Sequence, residues 1–270
     1  MLTELSAWTT AWRDAIEEMH QVSDTAYWDR RAPDYNDFIL TSEYSYGEAI
    51  TTMLSASGCL SATDHVLEIA AGVGAVTIPL ARRSAKVIAF EPAPVMADFL
   101  AANISSSGLT NIEIRRESFD HNTVCAPKSF DLILLCHAAW HFPDFIELVK
   151  SMEMISRGFC CLADTSGLAD PDTEIIHRQL NLPLTAGIDR VPFLFNQLYF
   201  SNRRPQLTHI PWLTRRSIAS ALSMWTMVLE KYRRPEETDL AIIRDHVLAR
   251  SKNGIYESPS LMALLWWPTN

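Results

Sequence analysis

The sequence lacks the hydrophobic segments that export or anchor a protein. Its first residues, MLTELSAWTTAWRDAIEE, contain no basic region followed by an apolar core, so no signal peptide is predicted. No run approaches the roughly 18 uninterrupted apolar residues of a membrane span. We therefore expect a soluble cytoplasmic protein with no membrane partner.

The cysteines lack an ordered pattern. They are odd in number, irregularly spaced and without a CxxC pair. The five are Cys59, Cys125, Cys136, Cys160 and Cys161. They predict neither a zinc site nor a disulfide framework, and we expect no metal.

Positive charge is also scarce. The net charge of −9 at pH 7 argues against nucleic acid as a partner. Residues 1–60 hold three arginines against ten acidic residues, whereas residues 201–252 hold ten basic residues against five acidic ones. Either these two segments pack against each other, or the basic segment helps to attract an acidic small substrate.

What the sequence does contain is an alternation of apolar strands and amphipathic helices. Its 270 residues, 48% of them hydrophobic, are enough to bury a sizeable core. The predicted strands are His65–Ile69, Lys86–Phe90, Asn111–Arg115, Phe130–Leu135, Phe159–Ala163, Gln206–Trp212 and Ser260–Trp267. This pattern predicts an α/β fold with a Rossmann-like, seven-stranded, mostly parallel sheet and helices on both faces.

Helices are predicted around and between these strands. They are Ser45–Ser57, Val73–Arg83, Ala93–Ser107, Phe142–Ser156, Pro192–Arg203, Arg215–Tyr232 and Pro235–Ser251. We expect residues 1–55 to form a helical cap or lid before a domain of residues 56–270, with a helical insertion at about 214–252. Trp8 and Trp12 fall at helical spacing, and we expect this first helix to be exposed and to offer a homodimer contact.

The most informative stretch is the strand that carries Glu68 and the turn through Gly72 and Gly74 that leads into a helix. A buried strand, a glycine turn and a helix give a nucleotide-like ligand a seat on the backbone. The second strand ends at Glu91, whose carboxylate can accept hydrogen bonds from both hydroxyls of a ribose. The pattern therefore predicts a nucleotide-like ligand at this edge of the sheet.

Four segments in this order resemble one known family. They are Trp28-Asp-x-Arg-Ala-x-x-Tyr35, Glu68-x-Ala70-x-Gly72-x-Gly74, Glu91-Pro-Ala-Pro-Val-Met96 and the apolar strand with its loop from Asp131 to Asp144. They are similar to motifs of class I S-adenosylmethionine-dependent methyltransferases of the small-molecule type (methyltransferase-11, -12 and -25). The resemblance covers residues 28–165. It implies S-adenosyl-L-methionine as cofactor, S-adenosyl-L-homocysteine as product, and in-line methyl transfer to a small-molecule acceptor at the carboxyl ends of the strands.

The resemblance implies that the turn holds the cofactor. The backbone of Gly72 and Gly74 would lie against its methionine and ribose, and Glu91 would bind the ribose hydroxyls. Glu68 would act on the cofactor directly or through a neighbour. Ala70 stands where the family has glycine, which allows close approach of the backbone, so a weakened cofactor seat is an alternative.

Further cofactor contacts follow from the same resemblance. They are assigned to Tyr35, Pro92, Met96, Glu117, Ser118, Phe119 and Cys136. Phe119 would cover the adenine, the carbonyl of Cys136 would accept from the cofactor's ammonium, and Tyr35 would touch its carboxylate. Glu117 or Ser118 would replace the family's adenine-binding aspartate.

His137 and His141 follow the fourth strand and are the predicted catalytic residues. A histidine there can act as a general base near neutral pH if the acceptor must lose a proton. Two alternatives stay open: His141 packs and caps the next helix, or the two histidines bind a metal. Four more side chains line a substrate pocket or belong to the core: Trp140, Met224, Trp225 and Met227.

Two other functions remain as alternatives. Because of Ala70, the chain could bind S-adenosylmethionine as a sensor or partner subunit without transferring methyl. A nicotinamide-dependent oxidoreductase would also use Glu91, but Thr77 stands where its third glycine belongs.

Overall fold

The computed structural model describes residues 4–120, 123, 125–166, 171–183 and 188–269. Within these ranges the strands are β1 (His65–Ile69), β2 (Lys86–Phe90), β3 (Ile112–Arg115), β4 (Phe130–Cys136), β5 (Ser156–Thr165), β6 (Gln206–Ser217), β7 (Ser251–Lys252) and β8 (Ile255–Pro268). The helices of the same ranges are α1 (Leu5–Val22), α2 (Thr25–Thr41), α3 (Ser45–Ala56), α4 (Thr77–Ala81), α5 (Pro94–Ser107), α6 (Phe145–Ile155), α7 (Pro171–Gln179), α8 (Val191–Phe200), α9 (Ile218–Glu230) and α10 (Glu237–Arg250).

All described strands belong to one sheet. Its order is β3-β2-β1-β4-β5-β8-β6, and the short β7 pairs with β8. The five strands from β3 to β5 run parallel, whereas β8 is antiparallel to both β5 and β6. The predicted Rossmann-like, mostly parallel sheet is confirmed. Ligands of such sheets bind beyond the carboxyl ends of the strands where the strand order reverses, here between β1 and β4.

The sheet is buried on both faces because successive side chains of a strand point to opposite sides. In β1, Leu67 belongs to the apolar cluster on one face and Val66 to the cluster on the other. The neighbouring Cys160 and Cys161 of β5 divide in the same way. Helices α1, α6 and α8 cover the first face, and α2, α3 and α5 cover the second.

The first helix packs inward, contrary to the expectation of an exposed, tryptophan-rich surface. Trp12 is fully buried, its Nε1 donates to the carbonyl of Phe142, and its ring contacts Phe145 and Phe193. Trp8 packs edge-on against Phe193 at 6.1 Å between ring centres. These tryptophans therefore pack α1 against α8 and do not form the exposed surface expected for a dimer contact. The homodimer itself stays a prediction.

The helices between β6 and β8 form a small core of their own. Leu229 of α9 and Val247 of α10 pack with Ile176 of α7, a helix that the sequence did not predict. Trp225 lies in this core with 3% of its surface exposed. The core alternative is therefore correct for Trp225.

Two segments differ from their predicted boundaries in a way that shapes the site. β6 continues to Ser217, so α9 begins at Ile218 and not at Arg215. β8 begins at Ile255, five residues before the predicted start at Ser260. The glycine turn is also longer than predicted, because the helix after it is the short α4 (Thr77–Ala81) and not Val73–Arg83.

Among the described residues, no helix is long and apolar enough to cross a membrane.

Candidate active site

A cavity of about 720 Å³ opens at the carboxyl ends of β1, β2 and β4. It is lined by twelve of the fourteen residues predicted as site residues: Tyr35, Glu68, Ala70, Gly72, Glu91, Pro92, Met96, Ser118, Phe119, Cys136, His137 and His141. Gly74 and Glu117 are not among its lining residues. The sheet thus brings together segments that lie up to about 100 residues apart, because parallel strands end at one edge.

The turn after β1 bends through the left-handed region. Ala70, Gly72 and Gly74 have φ angles of 57°, 58° and 96°. A Cβ on Gly72 would meet only a ring carbon of Tyr35, at 3.8 Å, so this part of the turn is open towards the cavity. A Cβ on Gly74 would lie 2.7 Å from Leu100, so Gly74 serves the close packing of α5.

Glu91 is held by two backbone amides. One carboxylate oxygen accepts from the amide of Gly72 at 2.7 Å and the other from the amide of Ala93 at 2.8 Å. Burial raises the pKa of Glu91, and the two amide hydrogen bonds partly offset that rise. The amides fix the carboxylate beside the turn, at the position expected for a ribose-binding acid. We call Glu68, Ala70, Gly72 and Glu91 the glycine-turn edge.

Glu68 is buried and forms no ion pair with any described residue. Only 2% of its surface is exposed, and Oε2 accepts a 2.5 Å hydrogen bond from the hydroxyl of Thr77. Burial raises the pKa of Glu68 to about 8, against the Thr77 hydrogen bond and with help from the charge of Glu91. A cation placed near this carboxylate would restore its ionised form.

The adenine side of the predicted site is formed by the loop after β3. Ser118 and Phe119 line the cavity, and Phe119 packs edge-on against Phe90 at 5.5 Å. Glu117 is exposed outside the cavity. Of the two residues considered as the adenine reader, Ser118 is therefore the one on the cavity wall.

Tyr35 and Tyr46 join α2 and α3 above the turn. Their hydroxyl oxygens are 2.8 Å apart, and both rings line the cavity. Burial raises the pKa of Tyr35 to about 12, and that of Tyr46 well above its usual value, so both hydroxyls are neutral. Burial likewise raises the pKa of the Cys136 thiol well above its usual value.

His141 is enclosed by indole rings. Its ring centre lies 5.6 Å from that of Trp140 and 6.4 Å from that of Trp28. Burial, together with the charge of His20, lowers the pKa of His141 to about 4. The imidazole is therefore neutral and a weak base, which favours the packing alternative for His141.

His137 is connected to a buried ion pair. Its Nδ1 lies 3.4 Å from Oδ1 of Asp164, whose side chain is 1% exposed. Arg190 donates to both oxygens of Asp164, from Nε at 2.8 Å and from Nη2 at 2.5 Å. Burial alone raises the pKa of Asp164, but the hydrogen bonds from Arg190 and His137 outweigh it and hold the pKa at about 2. Asp164 therefore stays ionised, and Arg190 also stacks on Trp140 at 4.6 Å.

The far side of the cavity is a two-stranded extension. β8 pairs with β5 only from Met262 onward, so its first residues project with β6 beyond the carboxyl end of β5. Three cross-strand pairs face the cavity: Trp212 with Ser260, Thr214 with Ser258, and Arg216 with Tyr256. These six residues, which we call the β6–β8 wall, share one face because alternate residues of paired strands do.

Two buried indole donors also border the cavity. Nε1 of Trp28 and Nε1 of Trp140 are buried and have no hydrogen-bond partner in the part of the chain that is described. An unpaired buried donor costs free energy. A bound molecule with acceptor atoms would satisfy these donors.

The comparison with protein families agrees with this geometry. Residues 66–157, from β1 to the start of β5, match a family model described as a methyltransferase domain. This part of the chain is therefore identified as a methyltransferase domain.

Known proteins and structures resemble this methyltransferase domain. A curated ribosomal RNA small subunit methyltransferase A from Methanosphaera stadtmanae is 46% identical over 71 residues. That match covers 26% of this chain and 25% of the relative, so the chain spans about a quarter of that protein.

Two solved structures share the fold. The YcgJ protein of Bacillus subtilis has a TM-score of 0.53 and 18% identity, covering 82% of this chain and 98% of that one. A proposed type II methyltransferase from Anaeromyxobacter dehalogenans has a TM-score of 0.56 and 15% identity, covering 83% and 95%. At these identities the likeness establishes the fold alone.

The methyltransferase domain departs from the family's glycine motif at a strained position. Ala70 adopts the left-handed conformation, which costs a residue with a Cβ about 1–2 kcal/mol. Glycine would avoid that cost. The departure therefore changes backbone strain as well as the space beside the cofactor seat.

Several residues of the site were not singled out from the sequence. Asp164 lies behind the cavity wall and holds Arg190 and His137. It ends an apolar strand, the same signal that pointed to Glu68 and Glu91, and could have been found by it. Thr214 and Arg216 carried no such signal, because their significance depends on the pairing of β6 with β8. Of the two methionines predicted to line a substrate pocket or belong to the core, Met224 lines the cavity and Met227 does not.

Proposed function

We propose that this protein transfers the methyl group of S-adenosylmethionine to a small-molecule acceptor held between the glycine-turn edge and the β6–β8 wall. One observation carries the proposal. A single cavity is lined both by the turn that the methyltransferase motif predicts and by a separate wall of Trp, Thr, Arg, Tyr and Ser side chains. One chamber can thus hold two reactants side by side, and orientation supplies much of the rate of such a reaction.

The residues present fit the cofactor. Gly72 leaves space for a ligand beside the turn, and backbone amides fix the carboxylate of Glu91. The buried indole N–H groups of Trp28 and Trp140 have no hydrogen-bond acceptor among the described residues. Glu68 offers a buried carboxyl group to a positively charged ligand. S-adenosylmethionine supplies, when bound, a methyl group made electrophilic by a sulfonium.

The chain's own residues bind and orient. Glu91 holds the ribose hydroxyls, and Phe119 and Met96 enclose the adenine side. Tyr35 with Tyr46 closes the cavity above the turn and excludes water. The roles of Glu91 and Phe119 are the ones that the resemblance to the family's motifs implies for these positions.

His137 is the residue suited to accept a proton from the acceptor. Asp164 is ionised and can only accept, so Nδ1 of His137 carries a proton, and Nε2 is the nitrogen that can accept one in the neutral imidazole. His141 has no such partner among the described residues, and its lowered pKa makes it a weaker base.

RNA is the competing acceptor, because one relative is named as a ribosomal RNA methyltransferase. The net charge of −9 opposes binding of a polyanion. A small molecule needs no extended basic surface and matches an enclosed cavity.

The test has two parts. Calorimetric titration with S-adenosylhomocysteine is expected to give saturable binding, and S-adenosylmethionine with a small-molecule panel is expected to yield S-adenosylhomocysteine. Binding without turnover on small molecules or RNA would support the sensor alternative, and stabilisation by NAD in place of S-adenosylhomocysteine would support the oxidoreductase.

The two histidines provide an internal comparison once an acceptor is found. His137→Ala is expected to lower kcat strongly, with the loss relieved as pH rises, whereas His141→Ala is expected to change it little. The reverse order would assign the base to His141.

A further inference from the structure

We propose that the acceptor carries a carboxylate and that Arg216 binds it through the Nε and Nη2 edge of its guanidinium. This inference rests on the proposed function, since it names the chemical class of the acceptor of that same cavity. It goes further by assigning a residue that no motif of the methyltransferase domain contains.

Arg216 is a buried cation on the cavity wall. Its side chain is 8% exposed and lines the cavity, opposite Tyr256 in the β6–β8 wall. Its guanidinium stacks on Phe38, with the guanidinium carbon 4.2 Å from the ring centre. The neighbouring Arg215 is on the opposite face of β6, where it pairs with Glu257. Only one of the two consecutive arginines therefore faces the cavity.

Only one of the three guanidinium nitrogens of Arg216 makes a hydrogen bond to a described residue. Nη1 donates to the hydroxyl of Ser220 at 3.0 Å and lies 3.6 Å from Asp34. Nε is buried without a partner, and Nη2 makes no hydrogen bond to any described residue. A buried guanidinium with unmade hydrogen bonds is costly, and a ligand that completes them recovers that cost.

Three other arginines of this chain reveal what that edge binds. Arg157, Arg190 and Arg203 each use Nε and Nη2 to grip one carboxylate, with distances of 2.5–2.8 Å. This two-pronged geometry matches the two oxygens of a planar carboxylate. In Arg216 the same two donors have no protein carboxylate.

The nearby acids do not occupy this edge. Asp34 is engaged by Arg31 at 3.3 Å and by the hydroxyl of Ser220 at 2.8 Å. Asp37 accepts from the hydroxyl of Ser217 at 2.8 Å. They balance the charges of Arg31 and Arg216, and neither is hydrogen-bonded to Nε or Nη2 of Arg216.

The surroundings of Arg216 predict that the acceptor is apolar next to its carboxylate. The ring centre of Trp212 lies 6.0 Å from that of Phe38 and 5.2 Å from that of Tyr46. Aromatic rings therefore lie around Arg216 on the cavity wall. An alkyl or aryl body with one carboxylate fits these surroundings. Its carboxylate also offsets the positive charge of the sulfonium in the same cavity.

The experiment measures binding of acids against neutral analogues. Benzoate, phenylacetate and hexanoate, each paired with its primary amide, are titrated calorimetrically into the protein with and without saturating S-adenosylhomocysteine. At least one acid is expected to bind the wild type about tenfold more tightly than its amide. Phenyl phosphate is the comparison for a tetrahedral anion.

Variants assign the preference to Arg216. Arg216→Gln is expected to bring the ratio of acid to amide affinity close to one, and Arg216→Lys to lose most of it, because lysine keeps the charge without the fork. Arg215→Gln is the matched control and is expected to keep the wild-type ratio. If Arg216→Gln does not fold, the Arg216→Lys result decides.

Several outcomes overturn the inference. It is wrong if no acid is preferred over its amide by the wild type, or if the preference survives both Arg216 variants. Tighter, Arg216-dependent binding of phenyl phosphate would overturn the carboxylate assignment. Failure of S-adenosylhomocysteine to bind would contradict the proposed function alone, since the acid-to-amide ratio is also measured without it.

Discussion

The two sides of the cavity are built by opposite means. The glycine-turn edge consists of residues close in sequence, whose conformation is set by left-handed φ angles and backbone amides. The β6–β8 wall consists of side chains about 40 residues apart that meet only through strand pairing. One side of the cavity is thus shaped by backbone geometry and the other by paired side chains.

The two sides also differ in charge. The glycine-turn edge presents the buried acids Glu68 and Glu91, and the β6–β8 wall presents the buried Arg216. A cation on the first side would favour the ionised form of these carboxyl groups, and an anion on the second would interact with the guanidinium of Arg216. The predictions below separate the two sides, from the largest expected effect to the smallest.

The buried ion pair of Asp164 with Arg190 belongs to neither side, and breaking it is expected to weaken the whole fold. Asp164→Asn leaves Arg190 without its buried partner and should lower the free energy of unfolding by about 3 kcal/mol in urea titrations. Because the pKa of Asp164 is lowered to about 2, its contribution is present above the usual Asp pKa and is lost as pH falls towards 2. The difference between wild type and variant should shrink over that range.

Asp98→Asn is the control for this comparison. Asp98 forms an exposed ion pair with Arg116, so its loss should cost less than about 0.5 kcal/mol. Equal losses in the two variants would mean that the Asp164 pair does not hold the site together.

Glu91→Ala is expected to disable one side and spare the other. The amides of Gly72 and Ala93 lose their acceptor, and S-adenosylhomocysteine should bind about tenfold to a hundredfold more weakly by calorimetry. Binding of acids at Arg216 should change little. Retention of wild-type affinity for S-adenosylhomocysteine would remove Glu91 from the cofactor site.

Glu68 makes the glycine-turn edge sensitive to pH. Its pKa is raised from 4.5 to about 8, so the unliganded fold is most stable below pH 4.5, where Glu68 is protonated, and loses that stability as pH rises from 4.5 through about 8. Relative to Glu68→Gln, which stays neutral, the wild type should lose stability over that pH range and no further stability above it. Parallel curves of unfolding free energy against pH would contradict this assignment.

Ala70→Gly is expected to give the smallest effect, and of opposite sign. Glycine relieves the left-handed strain but adds freedom to the unfolded chain, for a net gain of about 0.5 kcal/mol in chemical denaturation. The adjacent Ala71→Gly, without a positive φ, should destabilise instead. A loss in both variants would mean that the Ala70 side chain contributes more by packing than it costs in strain.

The sequence predicted the local half of the molecule and missed the long-range half. Strands β1, β2 and β4 were evident as apolar runs, and Glu68 and Glu91 stood where those runs end. Arg216 was assigned to a helix, because polar residues at the ends of β6 and β8 show no apolar run. Their alternation becomes visible only when the register of the two strands is known.

The construction of the β6–β8 wall also bears on how acceptor choice can diverge between related proteins. The hydrogen bonds between the two strands come from the backbone, so a side chain can be exchanged without disturbing the pairing. The pair of Trp212 with Ser260 sets a large residue opposite a small one, and exchanging the two would move the bulk from β6 to β8 at nearly constant volume. The side chains of the β6–β8 wall can therefore be changed one cross-strand pair at a time, without altering the backbone of the glycine-turn edge.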